Sequence, residues 1–440
     1  MLAFVLQISA WLDGGHIFLF AFFMLMIWLL WLFRITLASH YRPWQSNHQP
    51  TTSVIVPVVD EPVDLFRSVL SKILEQKPTE VIVVINGPRN QELEKVCADL
   101  GVRWAWTEIA GKRNALQVGI GLASGEIAVL VDSDTLWTTH TLRELVKPFR
   151  DPRVGGVTTR QRIMDPDRSL LTRWADWLEN VRNEYSMPAM SVLGTVGCLP
   201  GRTIAFRREI LENCMGQFLR DEFLGVRLEV SDDRALTNYT LMAGYKTVYQ
   251  STSLVYTDAP TQLRKMAKQQ YRWARGSQYN TLRMLPWMLR HAPVLALFYV
   301  TDIIIPFVLM GSLVSWAVVI ATGARAWLYD AVPLLPSGGW QAVALILVLA
   351  GVMTTASLCI RFGRHFAHRP DDLLYLPLFM LINGFVLIPV RALGFLRMAH
   401  NAGWGTRAGG FDGERRFNPQ LAIPYLLGGA MLTASIMIGV

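Results

Sequence analysis

The sequence predicts an α/β domain built on a parallel sheet, fused to an α-helical membrane region. Three observations predict it. Short apolar, β-branched runs alternate with helix-like segments between residues 53 and 131. Ile17–Phe33 is an unbroken apolar run, long enough to cross a hydrocarbon core. Apolar, charge-free runs then return at Ile303–Ala321, Ala342–Ile360, Leu373–Val390 and Leu421–Val440.

Composition agrees with the membrane region. Of the 440 residues, 52% are hydrophobic and 17% charged, against about 25% charged in soluble proteins. The net charge of +8 is compatible with nucleic acid, anionic lipid or an anionic substrate. Its placement beside the apolar runs favours lipid and substrate over nucleic acid. Cys97, Cys198, Cys214 and Cys359 form no metal-ligand spacing and read as reduced thiols.

Charge also orients the chain. No Lys or Arg precedes Ile17, whereas Arg34, His40 and Arg42 follow the run. A secretory signal would carry its positive charge first. The positive-inside rule therefore puts the N-terminus outside and the next segment in the cytoplasm. Leu373–Val390 holds Pro377, Asn383, Gly384 and Pro389, which interrupt a helix. It reads as a bent interfacial or re-entrant segment, because counting it as a span would place five arginines from Arg391 to Arg416 outside. That reading gives four spans. The expected domains are a membrane helix within 1–42, a cytoplasmic domain at 43–260, an amphipathic interface helix at 261–291, and a membrane region at 292–440.

In the cytoplasmic region, strands are expected at Ser53–Val59, Val81–Asn86 and Ile127–Val131, and helices at Asp64–Gln76, Gln91–Leu100 and Gly111–Ala123. In open sheets of this kind ligands bind beyond the carboxyl ends of the strands. Asp60 and Glu61 follow the first strand there, Asn86 the second, and Asp132 and Asp134 the third.

Asp132-Ser133-Asp134 places two carboxylates one residue apart, able to hold a hard divalent cation that bridges a diphosphate. Lys112 and Arg113 open a helix whose N-terminus suits a phosphate, although an ordinary basic turn would look the same. Asp232-Asp233 is a second acidic pair. Two close carboxylates raise one another's pKa, which can tune one as a general base, and a helix cap is compatible with that role. Gly197-Cys198-Leu199-Pro200-Gly201-Arg202 reads as a loop. Gln262–Arg290 mixes cations with aromatics and reads as a helix on the bilayer surface, with Leu170–Tyr185 a second such helix. Within the first, Gln269, Arg272 and Trp273 share one face. Trp404, Thr406 and Arg407 lie in a glycine-flanked stretch that could close over a ligand or anchor at the interface.

Taken in order, these motifs resemble the processive family 2 glycosyltransferases, which include hyaluronan, cellulose and chitin synthases. The resemblance covers nearly the whole chain. SVIVPVVDEP, VLVDSDT, VGCLPGRTIAFR, EVSDDR and GWGTR resemble most of all the type 3 capsular polysaccharide synthases of that family, which alternate UDP-glucose and UDP-glucuronic acid. The resemblance implies a GT-A-type nucleotide-sugar transferase fold, UDP-sugar donors, a growing polysaccharide acceptor, and Mn²⁺ or Mg²⁺. It implies a multi-pass protein of the cell membrane with its catalytic domain in the cytoplasm. By motif, Asp233 is the general base and Asp134 the metal ligand. The donor residues are Asp60, Glu61, Asn86, Lys112, Arg113, Asp132, Gln269, Arg272, Trp404, Thr406 and Arg407. The acceptor residues are Gly197, Cys198, Leu199, Pro200, Gly201, Arg202, Asp232 and Trp273. One departure stands out: Asn86 occupies a position where relatives carry Asp. Competing readings are a hyaluronan-type or other UDP-sugar polymer, and a non-processive lipid-linked sugar transferase.

Overall fold

The computed structural model describes residues 16–227, 231–322, 340–400 and 419–439. The chain forms two compact units. One comprises residues 34–297 and 397–421, the other residues 1–33, 298–396 and 422–440. The helix α1 (His16–Ser39) covers the expected N-terminal membrane segment.

In the larger unit the three expected strands and three expected helices appear close to their expected bounds, together with one strand, at Arg103–Thr107, that the sequence reading did not mark. β1 (Thr52–Val58) leads to α2 (Val63–Leu74), β2 (Glu80–Asn86) to α3 (Gln91–Asp99), β3 (Arg103–Thr107) to α4 (Lys112–Leu122), and then comes β4 (Ile127–Val131). β1, β2 and β4 are buried along nearly their whole length, as strands covered on both faces must be. Gly119 lets α4 lie close on the sheet: a Cβ there would come within 2.4 Å of Ile55.

The second half is less regular. β5 (Leu136–Trp137), α5 (Thr141–Val146), β6 (Val154–Ile163), α6 (Leu170–Val181) and α7 (Met187–Val192) precede β7 (Thr203–Arg207) and α8 (Arg208–Leu219). A short hairpin of β8 (Glu222–Phe223) and β9 (Val226–Arg227) follows, then α9 (Asp232–Met242), β10 (Lys246–Thr257) and α10 (Leu263–His291).

The main sheet has eight strands in the order β3-β2-β1-β4-β7-β6-β10-β5. The expectation of a purely parallel sheet is corrected here. β7 runs antiparallel to both β4 and β6, and β5 antiparallel to β10. The reversal has a positional consequence. Val131, at the end of β4, pairs with Thr203, at the start of β7. The loop entering β7 is thereby brought to the same edge of the sheet as the carboxyl end of β4.

Of the two expected surface helices, the one at 170–185 is revised. Trp174 and Trp177 of α6 are buried, together with Asp176, Glu179 and Asn180. The charges are satisfied within the protein, by Arg162 on Asp176 and Arg202 on Glu179. In α10, Arg264, Lys265 and Lys268 are exposed, but the later turns are fastened to the domain. Tyr279 donates to the Val226 carbonyl, and Arg283 grips Asp221 through both of its terminal nitrogens at 2.8 Å.

The smaller unit is helical. α11 (Pro293–Thr322) is followed by α12 (Trp340–Arg361), α13 (Gly363–His368), α14 (Asp372–Ile382), α15 (Ile388–Leu396) and α16 (Ala422–Gly439). Arg361 lies over the rings of Trp28 and Trp31 of α1. Gly428 lets α16 approach Leu396 and Phe307 closely. Among the described residues, Pro293–Val314, Asp372–Leu396 and Pro419–Met437 are long and apolar enough to cross a membrane. The expected interruption of Leu373–Val390 is corrected. Asn383–Leu387 forms a π turn that joins α14 to α15, so the helical path continues through Pro377, Gly384 and Pro389.

Candidate active site

The site grows from the carboxyl ends of β1, β2 and β4 and from the two loops that the antiparallel β7 and the helix α9 bring there. At β2, Asn86 is buried and its amide is engaged with backbone on both sides. Nδ2 donates to the Val58 carbonyl at 3.0 Å, and Oδ1 accepts from Gly111 N at 3.2 Å. Asn86 thus ties the end of β1 to the turn that opens α4. Gly111 has φ 122° there, a backbone state that disfavours any side chain. One N–H and one lone pair of Asn86 are left for any further partner.

That turn delivers Lys112 into a group of carboxylates. Its Nζ lies 2.6 Å from Asp132 at the end of β4 and 3.1 Å from Asp232 at the start of α9. Burial works against the ammonium charge, but Asp132, Asp232 and Asp233 together hold its pKa above the usual lysine value. Arg113 does not join it. The guanidinium turns the other way, donating to the Phe218 carbonyl, lying over the Phe218 ring and approaching Asp221 at 3.8 Å. Its expected place beside the donor is therefore not where the side chain goes. The reason is helical geometry, since adjacent residues of α4 point about 100° apart.

The loop 197–202 closes the opposite side. Leu199 N donates to Thr237 of α9, Gln161 of β6 donates to the Pro200 carbonyl, and the Arg202 carbonyl accepts from Asp132 N. Gly201 N donates to Asp233 Oδ2 at 3.0 Å. A Cβ on Gly201 would lie 3.4 Å from both Asp233 Cβ and Lys112 Nζ, so the bare backbone comes close to both groups at this point. Cys198 is a half-buried thiol whose pKa is pushed up to about 12 by desolvation and by Asp233. Arg202 bonds to Gln161 and Glu179 and lies 5.8 Å from the ring centroid of Trp273 on α10. That places the loop beside one residue of the Gln269-Arg272-Trp273 face.

Asp233 is the chemically distinct member. Burial and the neighbouring Asp232 push its pKa up to about 6, against Lys112 and the two backbone N–H groups of Arg234 and Gly201, which favour the ionised form. A carboxylate in that range accepts a proton near neutral pH far better than an ordinary one.

Glu61 accepts from Ser133 at 2.9 Å, which fixes the turn between Asp132 and Asp134. Asp60 is exposed at the end of β1. Gln269 and Arg272 are half-buried. Trp404, Thr406 and Arg407 lie outside the described residues. Several contributors were not singled out from the sequence. Gln161, Glu179 and Arg182 support the loop, and the buried Asp221 joins Arg283 to Arg113. Gln161 sits beside Arg160 and Arg162 in β6, a polar run in a buried strand, and that was the available signal.

Residues 49–276 match the family described as glycosyltransferase like family 2, just over half of the chain. The chain belongs to glycosyltransferase family 2. The family domain spans the whole sheet and the residues around Lys112, Asp132 and Asp233. Among curated relatives of this glycosyltransferase, a hyaluronan synthase of Streptococcus pyogenes is 26% identical over 392 residues, covering 85% of this chain and 87% of that protein. An N-acetylglucosaminyltransferase of Rhizobium meliloti is 28% identical over 379 residues, covering 83% of each. A mannosyltransferase from Pyrobaculum calidifontis, solved with GDP-mannose and Mn²⁺, superposes with a TM-score of 0.55 at 20% identity, covering 92% of this chain and all of that one. That last likeness bears on the fold, which is of the GT-A type.

The donor set suits a divalent cation. Among the described residues no group of three or more acidic, histidine or cysteine side chains forms a cage. Asp132 shares its charge with Lys112, and Asp134 stands two residues on, at the exit of the same strand. One or two carboxylates completed by phosphate oxygens is how Mg²⁺ is commonly held, and the oxygens here are of that hard type.

Proposed function

We propose that this glycosyltransferase is a membrane-embedded, processive, inverting synthase that extends a polysaccharide from UDP-sugars at the cytoplasmic face and passes the product through its own helices. The observation that carries the reading is Asp233, a carboxylate with a raised pKa beside the Gly197–Arg202 loop, in a family 2 domain joined to apolar helices. Asp233 takes the proton of an acceptor hydroxyl, and the oxygen attacks the anomeric carbon. One C–O bond forms to the acceptor while the bond from that carbon to the diphosphate oxygen breaks, and UDP leaves. With Asp132 and Asp232 both paired to Lys112, Asp233 remains as the base, so a single displacement inverts the anomeric centre.

Lys112 supplies positive charge on the donor side, and Gln269 and Arg272 contribute to holding the diphosphate. A divalent cation on Asp134 and Asp132, when bound, offsets charge on the leaving group. Asp60, Glu61 and Asn86 border the nucleotide. Trp273, Asp232 and the loop 197–202 shape the acceptor side, while Trp404, Thr406 and Arg407 gate the donor. The motif likeness favours UDP-glucose and UDP-glucuronic acid, alternating in β linkages, as in a capsule. The names of the hyaluronan synthase and N-acetylglucosaminyltransferase relatives favour a second reading with N-acetylglucosamine as a donor.

The test is incubation of purified protein with single and paired UDP-sugars, followed by product digestion and NMR. The first reading expects a long β-linked polymer only with UDP-glucose and UDP-glucuronic acid together. A long polymer from one donor removes alternation. A requirement for UDP-N-acetylglucosamine supports the second reading. Alpha linkages remove inversion, and a single transfer to a lipid removes processivity.

A further inference from the structure

Three other arginines of the larger unit, one buried and two half-buried, have acidic partners. Arg113 approaches Asp221, Arg202 binds Glu179 and Arg283 grips Asp221. Arg275 on α10 differs from these three. It is 6% exposed, and its Nε and Nη2 have no hydrogen-bond partner among the described residues. Its guanidinium donates to Tyr271, one turn earlier, and no carboxylate of the described residues pairs with it. A buried cation with open donors is strongly disfavoured.

The surroundings add positive charge. Arg397 and His400, on the stretch that follows α15, lie close enough to repel Arg275. This stretch is held in place, since Met398 and Ala399 between them are buried. Burial, then Arg275 and Arg397, lower the pKa of His400, and burial with Arg397 lowers that of Arg275. Arg275, whose Nε and Nη2 are unpaired among the described residues, thus sits in positive surroundings. Arg275 points about 160° around the helix from Trp273, at 3.6 residues per turn. It thus faces away from the contact between Trp273 and Arg202.

We infer that Arg275, Arg397 and His400 form an anion site that takes a phosphate-type oxyanion, either free phosphate or diphosphate or the phosphodiester of a lipid headgroup. A planar guanidinium presents paired N–H groups that match such oxygens. The anion would complete the open donors and relieve the repulsion among the three groups. This site does not rest on the polymer-synthase reading.

The test is thermal unfolding of the full-length protein with two probes. Inorganic diphosphate is titrated in neutral detergent containing chelator, against sodium chloride of equal ionic strength. Nanodiscs of phosphatidylcholine are compared with nanodiscs containing phosphatidylglycerol. Wild-type protein is expected to be stabilised saturably by one of the probes. Arg275→Gln and Arg397→Gln are each expected to weaken that response by about tenfold or more. Arg397 is exposed, so its substitution leaves the fold in place. Without the anion, Arg275→Gln is expected to unfold no earlier than wild type, because a buried unpaired cation has gone. A diphosphate response assigns the site to free phosphate, and a response to phosphatidylglycerol alone assigns it to a headgroup. No saturable response to either probe overturns the site, as does an unchanged response in both variants. Lys112→Met, which removes a cation near Asp132 and not near Arg275, is the control for diphosphate held at the donor side.

Discussion

Replacing Lys112 with methionine tests how the site sets its base. Lys112→Met keeps a side chain of similar length and removes the cation that lies 2.6 Å from Asp132 and 3.1 Å from Asp232. A Cβ on Gly201 would lie 3.4 Å from Lys112 Nζ and 3.7 Å from Asp233 Oδ2, so those two atoms are no more than about 7 Å apart. At that distance two unit charges interact by about 1–2.5 kcal/mol for an effective dielectric of roughly 20–40. Losing the cation therefore moves the Asp233 pKa upward by about 1–2 units. The three carboxylates left behind repel one another and push the same way. The assay is kcat/KM for sugar transfer against pH, on monodisperse protein. A base acts when ionised, so activity rises with pH through its pKa. The wild-type acid limb is expected at about 6, and the variant's at roughly 7–8. Near pH 6.5 the variant should lose about tenfold, while at pH 9 only the share of Lys112 in donor binding should remain lost. That share is measured separately as affinity for UDP. An acid limb that stays at the wild-type position in a folded variant refutes the link between Lys112 and Asp233.

Other substitutions divide the site by role. Asp233→Asn is expected to abolish elongation with UDP affinity kept, while Asp134→Ala loses metal-dependent UDP binding; calorimetric titration with Mn²⁺ or Mg²⁺ separates the two, and the opposite pattern reverses the assignment. Gly201→Val puts two methyl groups against Asp233 and Lys112, and turnover is expected to fall about tenfold or more with little change in melting temperature. Gly119→Ala drives a methyl group into Ile55 and Val84, and a loss of about 1–3 kcal/mol in chemical denaturation is expected. A neutral Gly119→Ala would mean that α4 can lift from the sheet without strain.

The site was legible where one residue type at one place carries the chemistry. Asp132 and Asp134 at a strand exit, and Asp232-Asp233 before a helical run, stood out as charges beside apolar sequence. Lys112 stood out as a cation opening a helix. Spacing did not reveal which of them meet. Lys112 and Asp232 are 120 residues apart in the chain and 3.1 Å apart in space. Arg113 looked equivalent to Lys112 in sequence, yet the turn of α4 sends it to Phe218 and Asp221.

By itself the sequence determined three strands of the first half of the sheet, because β1, β2 and β4 are covered on both faces and so read as continuous apolar runs, whereas the part-exposed edge strand β3 did not. It also determined which segments are apolar enough for a membrane, since that depends on local composition. Only the tertiary structure decided the second half. β6 and β10 mix polar with apolar residues, and β7 spans only Thr203–Arg207, so neither length nor period marked their pairing. The antiparallel insertion of β7 is a choice of partner, not of local propensity. It is that choice which sets the Gly201 backbone against Asp233, whose burial beside Asp232 raises its pKa.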